Sequence, residues 1–232
     1  MLAAATDVAG DARAARRSRV AGVYAVTPDQ DDTDDLVARV DAAIRGGAAA
    51  IQYRNKAADA ALREAQARAL VRACEGRALF IVNDDATLAA RVAADGVHLG
   101  EDDGAIDDAR RRLPSDAIVG VSCYGDASRA RDAAAQGADY VAFGSFFPSR
   151  VKPGARQAKV ELLAHARTLG VPVVAIGGIT AANAAALVTA GADAVAVISD
   201  VFAHATHAGV ERATRRLVDV VAAARTPRRH SP

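Results

Sequence analysis

Residues 138–144 read ADYVAFG: a small residue and an acid, then Tyr140, Val141, Ala142 and Phe143 without a charge among them, closed by glycine. A short run that is apolar on both parities and bounded by turn formers marks a strand buried on both faces. The same lead-in recurs as ADGV at 94–97, as ADAV at 192–195 and, more loosely, as AAAI at 48–51. The spacing leaves room between successive copies for one further strand and two Ala-rich helical stretches. The lead-in therefore marks every second strand of an alternating β/α series. Gly47, Gly137 and Gly191 stand just ahead of three copies, at helix C-cap positions.

Filling in between the copies gives eight strand cores: GVYAVT (22–27), AAIQYR (49–54), LFIV (79–82), GVHLG (96–100), IVGVS (118–122), YVAFG (140–144), VPVVAIG (171–177) and AVAVI (194–198). Helical patterns follow them at about 34–46, 58–75, 85–93, 104–113, 126–136, 157–169, 180–190 and 206–224. Eight such units predict an α/β fold of the (β/α)8 TIM-barrel type, in a single domain. An open doubly wound sheet would carry a glycine fingerprint after its first strand, and VYAVTPDQ has none.

The chain has 232 residues, is 51% hydrophobic and 25% charged, and carries a net charge of +1. That balance gives no basic excess for nucleic acid or acidic membranes, and no apolar run approaches the roughly 18–20 residues of a membrane span. Cys74 and Cys123 fit no metal or redox spacing and read as buried free thiols in a reducing, cytoplasmic setting. Residues 20–224 hold the barrel. The Arg- and Ala-rich segment 1–19 reads as a disordered arm, and 225–232, ending RTPRRHSP, as a disordered tail.

In such a barrel the chemistry gathers at the C-terminal strand ends, and these ends are polar here. Strand 2 ends in Gln52, Arg54 and Lys56 on alternate positions, strand 3 in Asn83, Asp84 and Asp85, and strand 4 runs into Glu101, Asp102 and Asp103. Strand 5 stops at Ser122, strand 6 opens the loop GSFFPSRVKPG with Ser149, Arg150 and Lys152, strand 7 ends in GGIT and strand 8 in Ile198, Ser199 and Asp200. Taken singly, Asp84 or Asp103 reads equally as a helix-capping acid, Lys152 as a solvated loop lysine and His98 as a satisfied interior histidine. Capping does not account for Arg54 and Lys56 at the end of an apolar strand.

Asp84 and Asp103 supply hard oxygen ligands in the small number suited to Mg2+ that also binds phosphate. Arg54, Lys56 and Lys152 add positive charge for a diphosphate. Free backbone N–H groups in the first turn of the helix after GGIT, with the strand 8 end, form a second anion cradle. A metal–diphosphate site facing a monophosphate site implies two phosphorylated small-molecule substrates.

QYRNK (52–56), ND (83–84), EDD after GVHLG (101–103), GVS (120–122), PSRVK (148–152), GGIT (177–180) and VIS (197–199) together resemble the thiamine phosphate synthase family from about Val20 to Val221. The resemblance implies a transferase that joins 4-amino-2-methyl-5-hydroxymethylpyrimidine diphosphate to a thiazole monophosphate. It implies that Gln52, Arg54, Lys56, Asn83, Ser122 and Lys152 bind the pyrimidine diphosphate, with Arg54, Lys56, Ser122 and Lys152 assisting its departure. Asp84 and Asp103 would hold Mg2+, and Ser149, Val151, Gly178, Ile198 and Ser199 would line the thiazole phosphate site. The chain departs from the family pattern at Glu101, usually Gln, and at Ser149 and Val151, usually threonines. A thiazole tautomerase-like paralogue and a non-catalytic phosphate-binding barrel are the alternatives.

Overall fold

Strands β1 (Gly22–Val26), β2 (Ala50–Tyr53), β3 (Leu79–Asn83), β4 (Gly96–Leu99), β5 (Ile118–Tyr124), β6 (Tyr140–Phe143), β7 (Val173–Ile176) and β8 (Ala194–Val197) pair in chain order, all parallel, and β8 closes onto β1. The computed structural model describes residues 2–148 and 157–225. Around the barrel run α2 (Thr33–Arg45), α3 (Ala60–Cys74), α4 (Ala86–Arg91), α5 (Ile106–Arg112), α6 (Ala127–Ala135), α7 (Glu161–Ala166), α8 (Ala184–Ala190), α9 (Ser199–Phe202) and α10 (His207–Arg225), preceded by α1 (Leu2–Ser18). The fold is the closed (β/α)8 barrel that the strand count predicts.

Alternation along each strand divides the apolar residues into two cores. Tyr24, Val26, Leu79, Ile81, Ile118 and Tyr140 fill the barrel interior. Their neighbours of opposite parity, among them Val23, Ile51, Phe80, Val97 and Phe143, pack outward against the helices. One interior position must be glycine: a Cβ on Gly120 would lie 1.9 Å from Cζ of Tyr140, so the Tyr140 ring occupies the space that a side chain there would need.

The repeated lead-in has a physical role at the N-terminal rim. Asp95 Oδ2 accepts from Phe80 N at 2.8 Å, Asp139 Oδ2 from Val119 N at 2.7 Å and Asp193 Oδ2 from Val173 N at 2.8 Å. Each aspartate thus ties the start of the preceding odd-numbered strand to its own even-numbered one. Ahead of β2 the position is Ala49, which has no carboxylate and makes only backbone bonds, donating to Val23 O and accepting from Leu79 N, both at 2.9 Å.

These aspartates also correct the expectation of a disordered N-terminal arm. Residues 2–18 form α1, and its arginines reach the same rim. Arg13 Nε donates to Asp139 Oδ1 at 2.8 Å, and Arg16 pairs with Asp95 at 2.9 Å and with Asp116 at 2.6 Å. Asp139 is almost fully buried, so Arg13 and Arg110 compensate a charge that water cannot reach.

Other differences are local. The segment predicted as a helix over 157–169 shortens to α7 followed by a 3-10 turn, Arg167–Leu169. The helix predicted over 180–190 begins only at Ala184, because Asn183 Oδ1 accepts from Thr180 N at 2.8 Å and folds the preceding residues into a turn. The C-terminal helix runs one residue beyond its predicted end, to Arg225; residues 226–232 lie outside the described ones. Cys74 and Cys123 are free and buried, and burial pushes both thiols up to about 12. No helix among the described residues is long and apolar enough to cross a membrane.

Candidate active site

Gln52, Arg54 and Lys56 climb from the barrel interior to its C-terminal rim. Gln52 is buried, the Arg54 side chain is 18% exposed and Lys56 reaches solvent at 57%. The rim is held by Asp29, in the loop after β1, whose Oδ1 accepts from Arg54 Nη1 and from Lys56 N, both at 2.9 Å. Thr27 Oγ1 donates to Arg54 O and accepts from Arg54 N, each at 2.9 Å. The two cations are therefore presented by an ordered turn.

Lys56 Nζ lies 3.3 Å from Asp84 Oδ2. Asp84 has a left-handed backbone, φ 66°, and its N–H donates to His98 O at 2.8 Å, so the carboxylate swings across the strand ends and away from α4. The cap of α4 is Asp85, which accepts from Leu88 N at 2.8 Å, and α5 starts after Ala105 with no side-chain cap. Neither Asp84 nor Asp103 caps a helix. Asp103 Oδ2 accepts from Gly100 N at 2.7 Å, and the Asp103 carboxylate stands near enough to Asp84 to act on its charge. Burial, with the nearness of Asp103, raises the Asp84 pKa, and Lys56 offsets this only in part.

Among the described residues no group of three or more His, Cys, Asp or Glu could hold a metal ion. A pair of facing carboxylates is nevertheless the donor set that Mg2+ accepts when water and phosphate complete its shell. A divalent cation would also relieve the mutual repulsion that raises Asp84. The residues present fit that ion.

Below the rim a chain of polar groups crosses the barrel. Gln52 Nε2 donates to Tyr24 OH at 3.0 Å, and the Tyr24 and Tyr140 hydroxyls meet at 2.9 Å. Tyr140 OH contacts His98 Nδ1 at 3.1 Å, and His98 Nε2 contacts Ser122 Oγ at 2.9 Å. Burial pushes His98 down to about 4 and raises both tyrosines, so all three stay neutral near pH 7. His98 is the satisfied interior histidine expected from the sequence.

On the opposite side Gly178 has φ 63°, and a Cβ there would lie 2.5 Å from Pro148 O, which lets the loop after β6 pass against the end of β7. The amides expected to be free after GGIT are partly taken: Thr180 N donates to Asn183, and Ala181 N donates to Asp200 Oδ2 at 3.1 Å. Asp200 ties the β7 and β8 loops together, and it sits in α9, which opens at Ser199 directly after Ile198. Ser149, Val151 and Lys152 lie outside the described residues.

A cleft of about 50 Å³ beside the rim is lined by Lys56, Arg63, Asn83 and Asp84 among others. A larger concavity, about 370 Å³, lies between α5 and α6 outside the barrel, next to Glu101 and Arg129. The smaller cleft adjoins the ionic cluster.

Residues 23–201 match the family described as thiamine monophosphate synthase. The chain belongs to that family. A thiamine-phosphate synthase of Chromobacterium violaceum is 57% identical over 185 residues, covering 79% of this chain and 89% of the relative. One from Azoarcus sp. is 54% identical over 189 residues, covering 81% and 92%. The solved thiamine phosphate pyrophosphorylase from Pyrococcus furiosus superposes with a TM-score of 0.79 at 34% identity, over 90% of this chain and 99% of that one. A structure described as native KDPGal, at 20% identity and a TM-score of 0.67, shares the fold. The function is accordingly that of a thiamine-phosphate synthase, a transferase.

In this family member the structure brings Gln52, Arg54, Lys56, Asp84, Asp103 and Ser122 around one end of the barrel. Reading the strand ends missed Asp29, Arg63, Tyr24 and Tyr140. Arg63 lines the cleft, and its buried Nε has no partner among the described residues. The signal for Tyr24 and Tyr140 was their parity: both stand on the inward-facing register of β1 and β6.

Proposed function

We propose that the barrel mouth joins 4-amino-2-methyl-5-hydroxymethylpyrimidine diphosphate to a thiazole monophosphate, giving thiamine phosphate and free diphosphate. The observation that carries this reading is the Lys56–Asp84–Asp103 cluster beside Arg54, a cation-and-carboxylate arrangement suited to a metal-bound diphosphate and larger than a monophosphate needs. Asp84 and Asp103 would hold Mg2+, which when bound neutralises diphosphate charge.

The bond from the pyrimidine methylene carbon to the diphosphate oxygen breaks first, its electron pair leaving with diphosphate. Arg54 and Lys56, with Lys152 from the loop after β6, stabilise that departing charge, and the aminopyrimidine ring delocalises the cation left behind. The thiazole nitrogen then supplies the electron pair for the new carbon–nitrogen bond. No protein nucleophile is needed, so Ser122 serves as a hydrogen-bond donor. Gly178, Ile198 and Ser199, with Ser149 and Val151, receive the thiazole phosphate through backbone and hydroxyl groups. The partners are these two phosphorylated molecules, and the buried thiols Cys74 and Cys123 suit a reducing cytoplasm.

A diphosphate-release assay with purified protein, both substrates and Mg2+ tests the reading. Release that requires all three components supports it. Binding of both substrates without release, or a proton shift on the thiazole alone, would overturn it.

A further inference from the structure

We propose that Tyr24, Tyr140 and His98 are positioning residues that transmit hydrogen-bond direction from Gln52 across the barrel to Ser122, so that Ser122 presents its hydroxyl proton to the diphosphate. This rests on the proposed reading of the mouth.

The direction follows from the protons available along the chain of contacts. Each phenol carries one proton, a neutral imidazole one, and a serine hydroxyl one. Gln52 Nε2 donates to Tyr24, so the Tyr24 proton goes to Tyr140, 2.9 Å away. Tyr140 then donates to His98 Nδ1 at 3.1 Å. An imidazole that accepts at Nδ1 carries its proton on Nε2, and that proton goes to Ser122 Oγ at 2.9 Å. Ser122 is then an acceptor within the chain, and its own proton is directed outward. At the other end Gln52 is left with an outward acceptor, its Oε1.

The opposite polarity requires turning the Gln52 amide. Ser122 would then donate inward to His98 and offer only lone pairs at the mouth, while Gln52 would offer N–H groups. A diphosphate oxygen only accepts, and an exocyclic amino group donates, so both ends of an aminopyrimidine diphosphate select the first polarity. The two ends are linked because no member of the chain can reverse alone without leaving two protons, or none, in one contact. Such a chain is worth more than its separate bonds, and its members lie in the barrel interior, apart from the ions at the rim.

The test has two readouts. In protein labelled with 15N-histidine, with the His98 resonance identified by His98→Gln, the ring nitrogens report the tautomer without any turnover. The proton should sit on Nε2, both in free protein and with inorganic diphosphate and Mg2+; a proton on Nδ1 in the loaded protein would overturn the proposal. In kinetics Tyr140→Phe keeps the ring but cuts the chain, and should lower kcat about tenfold with KM changed less than about twofold. In a Ser122→Ala background the same change should cost less than about threefold. Equal losses in both backgrounds would mean that Tyr140 only packs, and would overturn the relay. Should Tyr140→Phe fold poorly, Tyr24→Phe cuts the chain one link earlier and is read in the same cycle. A wild-type protein that releases no diphosphate would refute the reaction assignment alone, since the tautomer measurement stands without it.

Discussion

Replacing Asp84 by Asn separates what this residue does for stability from what it does for chemistry. The backbone tolerates the change, because Asn is among the residues that adopt the left-handed conformation that Asp84 has at φ 66°. Two ionic terms change in opposite directions. The contact with Lys56 at 3.3 Å is lost as an ion pair, but Lys56 is 57% exposed, so this costs at most about 1 kcal/mol. The repulsion from Asp103, which helps to raise the Asp84 pKa in the folded protein, disappears. Because the folded pKa lies above the unfolded one, ionised Asp84 opposes folding at neutral pH, and its removal is stabilising. The net expectation is a change between zero and about +1 kcal/mol, or a melting temperature unchanged to about 4 °C higher. Turnover should fall by at least about 100-fold, with a much higher Mg2+ requirement, since one of two carboxylates is gone. The neighbouring Asp85→Ala should do the reverse, losing the α4 cap and about 1 kcal/mol while keeping most turnover. Thermal melts and Mg2+ titrations of turnover on the two variants decide the matter. An Asp84→Asn protein that melts several degrees lower with an unchanged Mg2+ requirement would refute the reasoning.

Stability should fall with acidity between pH 6.5 and 4, where the unfolded chain protonates His98 and the folded protein, with this group pushed down to about 4, does not. The loss at the acid end is roughly 3 kcal/mol from this group, fully regained above pH 6.5, and urea melts of wild type against His98→Gln would measure it. Removing residues 1–18 should lower the melting temperature by on the order of 2–6 °C, through the lost partners of Asp139, Asp95 and Asp116, while kcat stays within about twofold. Gly120→Ala should cost several kcal/mol, on the order of 3 or more, because its Cβ collides with the Tyr140 ring; normal expression and melting would contradict the packing described here.

The barrel was legible in the sequence because its strands are short, apolar and introduced by a repeated lead-in, and parity then assigned Arg54 and Lys56 to the mouth. Asp84 and Asp103 were legible as strand-end acids. Setting the capping reading aside needed the backbone, which gives the cap to Asp85 and turns Asp84 away from it. The polar chain was hidden because Tyr24 and Tyr140 read as apolar core, and their partners come from strands distant in sequence. The helix α1 was hidden for a related reason: the partners of its arginines are acids far along the chain, Asp95, Asp116 and Asp139. The late start of α8 turns on one side chain, Asn183, competing with the helix for a backbone amide.

The placement of α1 also bears on how the enzyme can be handled. Its arginines grip the rim where the strands begin, and the ionic cluster lies where they end. A surface linker attached through α1 would therefore hold the molecule at the end where the strands begin and leave the mouth facing bulk solution. Immobilised in that orientation, the enzyme should capture diffusing substrates as it does when free. Attachment beside Asp84 would instead set the support against the ionic cluster.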